Sequence, residues 1–176
     1  MAYLFDGSND ALSLGDFSVS DAFTMAIRAN FSSLTTDDAV CAAENFPTSP
    51  RYAANMPYYT AAGTPGWTSE CYVNGTGGIS NATGTGTVST ATWYALILDR
   101  NGTTARGFVD NSQIGSNITV GSGTFTFYNT RLAAHYFSGT NNQFCHVTLA
   151  DFAIWDVQLD AAERAAYGKG FSPLLI

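Results

Sequence analysis

The chain has 176 residues, which fits one domain (1–176) with a substantial core and is short for two independent domains. Hydrophobic residues make up 45% of the sequence and charged residues only 12%, so uncharged polar residues must cover much of the surface. Seven basic residues against 14 acidic ones give a formal net charge of −7. Because phosphate backbones and anionic membranes are bound by clustered Lys and Arg, this balance argues against nucleic-acid and membrane partners.

No export or membrane segment is visible in the sequence. The first residues lack a basic region followed by a long apolar stretch, so we expect no secretory signal. No apolar run approaches the roughly 18 residues that a membrane span requires. Cys41, Cys71 and Cys145 are odd in number and widely spaced, which is typical of reduced thiols in a core.

A two-residue alternation of apolar and polar side chains dominates the chain. Residues 23–31 show it most clearly and predict a half-buried strand. Residues 93–98 are apolar on both faces, so this strand should be covered on both sides. The Asn-Gly pair within residues 99–103 predicts a hairpin into residues 105–109. Residues 145–155 are long enough for one bent strand or two, and the whole pattern predicts an all-β sandwich or barrel.

Two stretches interrupt this alternation, and one helix follows it. Residues 45–67 contain four of the five prolines and predict long loops around short edge strands. Residues 75–90 are rich in Gly, Ser, Thr and Asn and predict a mobile surface segment. Near the C-terminus, Asp160 as N-cap, Glu163 as its capping-box partner and Gly168 as a stop predict one short helix.

Three parts of the sequence resemble the laminin-G-like, concanavalin A-like jelly-roll family. Residues 4–10, LFDGSND, are similar to the family pattern FDGxxDYV, and residues 23–29, FTMAIRA, are similar to FTISAWV. Residues 93–115 resemble WHHVALTYDG…LYVDGxxVG, and residues 147–163 resemble GxIDEVRIWNRALSAEEI. The resemblance implies an all-β, antiparallel two-sheet jelly-roll sandwich with one short C-terminal helix. Since this fold carries many activities, it does not by itself select a function.

The sequence lacks the residues that catalysis on this fold requires. Glycan hydrolases need two carboxylates about 5–10 Å apart, and related glucanases place them on one strand as E-x-D-x-E. Glu44, Glu70 and Glu163 are each isolated in the sequence, and His135 and His146 stand apart without a metal or nucleophile motif. We therefore expect that the protein is not an enzyme.

Calcium is the one cofactor that the resemblance implies. Jelly rolls of this family often hold Ca²⁺ at the rim of the sandwich through carboxylates and carbonyl oxygens. By resemblance, Asp6, with Asn9 or Asp10, and Asp151 would converge there. The same Asp-Gly-Ser-Asn sequence is also ordinary turn chemistry, so a structural role is the alternative.

Two groups of apolar residues are candidates for contacts with a ligand or a partner. The loop aromatics could stack on sugar rings or pack in an interface, and both interpretations stay open. This first group is Tyr52, Tyr58, Tyr59, Trp67 and Tyr72. The apolar segment 171–176 should dock either on its own sandwich or on a neighbouring subunit. Its apolar members are Phe171, Leu174, Leu175 and Ile176.

The sequence leads to two main hypotheses for function. The first rests on a resemblance to accessory proteins of bacteriophage particles: a non-enzymatic capsid decoration (cement) or tail-associated protein. It would form a homo-oligomer, with a trimer favoured by analogy, and contact capsid or other virion proteins. The second is a carbohydrate-binding lectin module that contacts surface glycans, with a glycan hydrolase in third place. The expected location is the virion, with the bacterial cytoplasm or cell surface as alternatives.

Overall fold

The computed structural model describes residues 2–33, 40–45, 49–60, 66–83, 88–137 and 140–170. These residues form strands β1 (Ala2–Asp6), β2 (Leu12–Val19), β3 (Ala22–Phe31), β4 (Cys41–Glu44), β5 (Ala53–Thr60), β6 (Gly66–Val73), β7 (Thr76–Thr83), β8 (Trp93–Asn101), β9 (Thr104–Val109), β10 (Ser112–Thr119), β11 (Phe125–Leu132), β12 (His135–Phe137), β13 (Thr140–Asn142) and β14 (His146–Trp155), followed by helix α1 (Ala161–Gly168).

The strands form two six-stranded antiparallel sheets. Sheet A has the order β1-β14-β3-β8-β9-β10, and sheet B has the order β2-β11-β4-β5-β6-β7. Strands β12 and β13 form a separate antiparallel pair. This arrangement confirms the predicted antiparallel sandwich with one short C-terminal helix. No helix in the described part of the chain has the length and apolar character of a membrane span.

The core lies between the two sheets and follows the alternation seen in the sequence. Phe23, Met25 and Ile27 of β3 point inward and are fully buried. The ring of Phe23 lies 5.1 Å from that of Phe125 and 5.2 Å from that of Phe127, both on β11 in the opposite sheet. Such aromatic contacts join the sheets because ring pairs at this separation attract beyond their buried area.

A second, smaller apolar cluster lies on the outer face of sheet A. Ala95 and Ile97 of β8 face this side, and helix α1 covers them with the buried ring of Tyr167. The Tyr167 hydroxyl donates a hydrogen bond to the Asp151 carbonyl at 2.5 Å. The prediction that β8 is covered on both faces is confirmed, and the covering element is the helix.

Two predictions about sheet B are wrong. The 45–67 region contains β5, which is an inner strand between β4 and β6 rather than an edge. The glycine-rich 75–90 region contains β7, a regular edge strand. Glycine is needed at position 77 because a Cβ there would collide with the backbone of Cys71 and Tyr72 on β6. The composition therefore reflects a close approach of strands.

The C-terminal elements refine the predicted boundaries. Residues 146–155 form one strand, bent by a bulge at which Asp151 adopts a φ of 54°. Asp160 caps α1 and forms the predicted capping box with Glu163. The helix nevertheless includes Gly168, and the positive φ that ends it, 84°, belongs to Gly170. The stop therefore comes two residues later than predicted.

All three cysteines are free thiols in the core, as the sequence predicts. Cys71, for example, is fully buried on the inner face of β6. Burial disfavours the thiolate and raises the pKa of Cys71 to about 12, and it raises the pKa of Cys41 as well. These cysteines are therefore poor nucleophiles in the folded protein.

A buried ion-pair group attaches α1 to sheet A. The carboxylate of Asp99 on β8 is fully buried and accepts two hydrogen bonds from Arg106 on β9, at 3.0 and 2.8 Å. Arg164 of the helix donates to the same carboxylate at 3.2 Å and to the Leu159 carbonyl at 2.6 Å. One buried carboxylate therefore compensates two guanidinium groups, and its removal would leave both without a counter-ion.

We expect the Asp99→Asn substitution to lower the free energy of unfolding by about 3 kcal/mol, because breaking a buried ion pair leaves an uncompensated charge. Urea denaturation followed by circular dichroism would measure the change. Asp10→Asn, which alters an exposed carboxylate, is the matched control and should leave the midpoint unchanged. Equal midpoints for the two variants would show that Asp99 does not hold the helix in place.

Candidate functional site

A group of charged and polar side chains lies on the outer face of sheet B. Along β4, β5 and β6 the core-facing residues alternate with residues that point away from the core. The register pairs Asn55 of β5 with Glu70 of β6, and Glu44 extends from the neighbouring strand β4. Together with Arg51 and His135 these residues form what we call the charged cluster.

Arg51 is the centre of the charged cluster. Its Nη2 atom lies 2.6 Å from Glu44 Oε1 and 2.7 Å from Glu70 Oε1, and its Nε atom donates to Glu44 at 2.9 Å. The guanidinium carbon lies 4.1 Å from the ring centroid of Tyr72, so the arginine stacks on that ring. The Arg51 side chain is 29% exposed, whereas that of Glu44 is fully buried. Arg51 is therefore the member of the pair that reaches solvent.

His135 and Asn55 complete the hydrogen bonding of the two carboxylates. The Nε2 atom of His135 lies 2.7 Å from Glu44 Oε2, and its Nδ1 atom lies 2.9 Å from the side-chain oxygen of Gln143. Asn55 donates from Nδ2 to Glu70 Oε2 at 2.6 Å. Within the described structure the other Asn55 side-chain atom, Oδ1, is buried and accepts no hydrogen bond. Leaving this buried acceptor without a donor costs the fold free energy.

Burial and ion pairing set the protonation of these groups. Burial alone would raise the pKa of Glu44, but hydrogen bonds from His135 and Arg51 outweigh it and lower that pKa. For Glu70 burial is the larger effect, and its pKa is raised despite Arg51. Burial would lower the pKa of His135, yet its hydrogen bonds to Glu44 and Gln143 raise it. Glu44 and His135 therefore form an ion pair that is sensitive to pH.

The predicted aromatic residues do not form one surface. Tyr72 lies at the charged cluster under Arg51. Tyr52 lies edge-on to Phe125, with ring centroids 5.9 Å apart. Trp67 is buried and packs between the sheets against aromatic rings of β3 and β8. Among the predicted aromatic residues whose side chains are described, Tyr72 is therefore the one placed at the cluster.

The remaining predicted contact residues fall outside the described side chains. Tyr58 and Tyr59 lie in β5, which pairs with β6. Their side chains are outside the described part of the structure. Phe171, Leu174, Leu175 and Ile176 lie beyond the last described residue, Gly170.

The predicted calcium ligands do not converge. Asp6 and Asp10 form one turn, in which Asp6 accepts from the Ser8 amide at 2.7 Å and Asp10 accepts from the Asp6 amide at 3.3 Å. Asp151 lies near the other end of β1 and forms an ion pair with Arg28 at 3.5 Å. Among the described residues no group of three or more acidic, His or Cys side chains could hold a metal ion. The three named carboxylates therefore do not fit one calcium site.

The charged cluster itself is not predicted by the sequence. Glu44 and Glu70 are isolated in the sequence, and His135 belongs to no metal or nucleophile motif, but strand packing brings the three side chains together beside Arg51. The signal that could have indicated the cluster is the alternation along β4, β5 and β6. There, polar residues lie among small or apolar residues on the face that points away from the core. Without knowing that these strands are neighbours, that signal could not be assigned to one site.

Residues 6–163 match the family described as the concanavalin A-like lectin/glucanases superfamily. The match spans most of the chain, and the protein belongs to this family. A search among curated proteins found no match.

Several solved structures share the fold at low sequence identity. The native heptameric SAP-like pentraxin from Limulus polyphemus superposes with a TM-score of 0.64 at 13% identity, covering 95% of this chain and 81% of the pentraxin. The CBM40 of a Ruminococcus gnavus sialidase, bound to α2,3-sialyllactose, gives 0.61 at 13%, covering 91% and 97%. Domain 4 of the Geobacillus stearothermophilus arabinanase AbnA, in complex with arabinotriose, gives 0.60 at 11%, covering 95% and 76%. At these identities the likeness establishes the fold alone.

We expect the His135–Glu44 ion pair to make stability depend on pH. Since the folded-state pKa of His135 is raised, its stabilisation is complete below the unfolded value of about 6.5 and is lost as pH rises through the folded value. The difference in unfolding free energy between the wild type and His135→Gln should therefore shrink as pH rises above 6.5. Urea denaturation at a series of pH values measures this difference.

His146→Gln is the control for this experiment, because His146 lies on β14 of sheet A, away from the charged cluster. It should keep the pH dependence of the wild type. A difference in unfolding free energy between the wild type and His135→Gln that is the same at every pH would contradict the ion pair.

Proposed function

We propose that the protein is a non-enzymatic carbohydrate-binding domain and that the charged cluster with Tyr72 is its sugar-contacting surface. One observation carries the proposal: Arg51, partly exposed and stacked on Tyr72, lies next to the buried and unpaired acceptor of Asn55. Sugar sites combine a flat apolar ring with a few fixed hydrogen-bonding groups. This face of sheet B provides both.

The charges of the cluster favour a neutral sugar. Arg51 is already engaged by two carboxylates, so its positive charge is compensated within the protein. With a net charge of −7, the rest of the chain repels anions over longer distances. A neutral glycan avoids this repulsion, and its hydroxyl groups can contact the exposed part of the Arg51 guanidinium.

The comparisons support a binding role without specifying the ligand. The AbnA domain is in complex with arabinotriose, and the CBM40 is bound to sialyllactose, so this fold does present surfaces that hold oligosaccharides. Arabinotriose, unlike sialyllactose, is uncharged. It is therefore a suitable first probe for a site in which the charge of Arg51 is compensated.

The arrangement of the two glutamates supports binding rather than hydrolysis. A glycosidase holds the scissile bond between two carboxyl groups about 5 Å or more apart. Here Glu44 and Glu70 share the Nη2 atom of Arg51, so the guanidinium occupies the space between them. A sugar ring could reach that position only by displacing the arginine from both carboxylates. We therefore propose that the protein binds glycans without cleaving them.

A glycan array followed by isothermal titration with the best oligosaccharide tests the proposal. We expect binding to neutral oligosaccharides and about a tenfold weaker affinity in Tyr72→Ala, equivalent to about 1.4 kcal/mol, because the stacked ring is removed. Trp93→Ala is the matched control, since Trp93 also lies beneath an arginine, Arg28, but on sheet A. This control should bind as the wild type does.

Three results would contradict the proposal. Equal loss of binding in Tyr72→Ala and Trp93→Ala would place the site elsewhere. Cleavage of the bound oligosaccharide, abolished by Glu70→Gln, would show an enzyme. A discrete oligomer without affinity for any glycan would favour an assembly role.

Calcium, implied by the family resemblance, is tested separately. Because Asp151 lies apart from Asp6 and Asp10, we propose that folding and binding need no calcium. The melting temperature should stay unchanged when millimolar calcium is added after chelator treatment. A higher melting temperature in the presence of calcium would contradict this proposal, since a ligand specific to the native state raises its stability. If Asp6→Asn abolished this increase and Asp151→Asn did not, the ion would be located at the Asp6–Asp10 turn.

A second candidate function is assembly on a larger particle, such as a bacteriophage capsid or tail. The observation in its favour is a strip of exposed apolar side chains on the edge strands β1 and β2: Tyr3 at 60%, Leu4 at 65% and Leu12 at 47% exposure. Exposed apolar patches often mark protein contacts. A homo-oligomer, with a trimer favoured, and a location in the virion belong to this candidate. The heptameric pentraxin supports this candidate, since it shows that this fold is compatible with oligomer formation.

A further inference from the structure

Strand β1 is the least protected of the four strands that end sheets A and B. Edge strands usually carry charges, proline, bulges or a covering contact, because their unpaired main-chain groups attract a further strand. On one side of the sandwich β7 and β10 contact each other, since Ser80 Oγ donates to the carbonyls of Ile114 and Ser116. On the other side β2 carries Asp16 and two shifts of register against β11. Residues 2–5 of β1 carry neither a charge nor a proline, and they pair with β14 in an unbroken register.

The direction of the main-chain groups in β14 follows from one hydrogen bond. The Ser32 amide donates to the His146 carbonyl at 2.9 Å, so the main chain of His146 faces β3. In an antiparallel sheet, successive residues direct these groups alternately to the two neighbouring strands. Val147 and Leu149 therefore direct theirs to β1.

Half of the main-chain groups of β1 consequently point to the free edge of sheet A. Tyr3 and Phe5 lie opposite the two residues of β14 that face them and bond to that strand. The alternate residues, Ala2, Leu4 and Asp6, face away from β14. Of these, the Asp6 amide is already engaged within its own turn. Ala2 and Leu4 are thus the positions at which a further strand can pair.

The side chains of β1 leave apolar surface on both sides of this edge. Leu4 is 65% exposed and lies on the outer face, opposite Thr148 of β14. Tyr3 is 60% exposed and lines an apolar cleft between the sheets. A strand that pairs here therefore gains apolar contacts above and below its main-chain hydrogen bonds.

We infer that β1 pairs antiparallel with β1 of a second copy of this chain, about a two-fold axis at Tyr3. In this register Ala2 of one copy lies opposite Leu4 of the other, and both such pairs exchange main-chain hydrogen bonds. The two Tyr3 rings meet on the cleft side, in the closely spaced position where cross-strand aromatic pairs stabilise a sheet. The two six-stranded sheets A then form one continuous sheet.

A second copy is the partner that the composition of β1 fits. The axis brings the same three uncharged residues, Ala2, Tyr3 and Leu4, against each other. Although each copy has a net charge of −7, the paired residues bring no carboxylate into the contact, because Asp6 lies beyond them. The contact is isologous and uses the β1 edge of each copy, so it closes at two copies. The charged cluster lies on sheet B, and the dimer leaves it accessible.

Disulfide formation in the full chain tests the register. Tyr3→Cys places two thiols opposite each other across the axis, within the separation that a disulfide can span. After mild oxidation we expect at least fivefold more linked dimer than in Val157→Cys, measured by non-reducing electrophoresis. Val157 is a matched control because it is similarly exposed, at 54%, but lies between β14 and α1. The three native cysteines are buried and should not react.

Two results of the oxidation experiment would overturn the inference. Equal amounts of linked dimer in Tyr3→Cys and Val157→Cys would show that position 3 does not meet its own copy. More linked dimer in Leu4→Cys than in Tyr3→Cys would show that the axis does not pass at Tyr3.

Sedimentation velocity over a series of protein concentrations measures the association without oxidation. The wild type should form a dimer, and Leu4→Lys should dimerise about tenfold more weakly or less, because it places a charge on the pairing edge. Val157→Lys adds the same charge away from β1 and should dimerise as the wild type does. A wild type that stays monomeric, a trimer, or equal dimerisation of the two lysine variants would contradict the pairing. Because glycan affinity is measured separately at the charged cluster, failure of the dimer would leave the proposed sugar site standing.

Discussion

The ion pairs of Arg51 are the interaction on which the outer face of sheet B depends. Two buried carboxylates, on β4 and β6 with β5 between them, would repel each other, and burial would further disfavour their charged forms. Arg51 contacts both, with Nη2 at 2.6 and 2.7 Å from the nearest oxygens of Glu44 and Glu70. Because this guanidinium is also stacked on Tyr72, its position is fixed by a ring as well as by charge. Arg51 therefore joins β4 to β6 on this face and keeps its two buried carboxylates compensated.

The all-β class could be predicted from local determinants, and the jelly-roll topology from the family resemblance, whereas the site depends on which strands lie side by side. Alternation in β3, the Asn-Gly turn after β8 and the capping box of α1 each lie within a few residues of one another. In contrast, His135 and Glu44 are separated by 91 residues. They meet only because β12, which belongs to the separate β12–β13 pair, lies beside β4 of sheet B. Period and turn chemistry carry no information about which strands become neighbours. The charged cluster was therefore beyond what a single sequence could specify.

Asp151, which fits the family pattern, makes structural contacts in this chain. It occupies a bulge with a φ of 54°, a conformation that Asp tolerates better than most residues. Its carboxylate pairs with Arg28, and its carbonyl accepts from Tyr167 of the helix. Both contacts join β14 to the elements packed against it. A structural role accounts for this aspartate, and the same turn chemistry accounts for Asp6 and Asp10.

The buried residues on the two outer faces of the sandwich differ in polarity. On sheet A, the helix covers the face with apolar contacts of Tyr167, and one carboxylate fastens it through Arg164. On sheet B, buried positions of the same kind carry Glu44, Asn55 and Glu70. Replacing buried ion pairs by apolar residues is often neutral or stabilising. Stability alone therefore does not explain why these polar side chains are buried here. An unpaired acceptor at Asn55 adds to that cost. The polar composition of this face is the reason why we propose it as the ligand-binding surface.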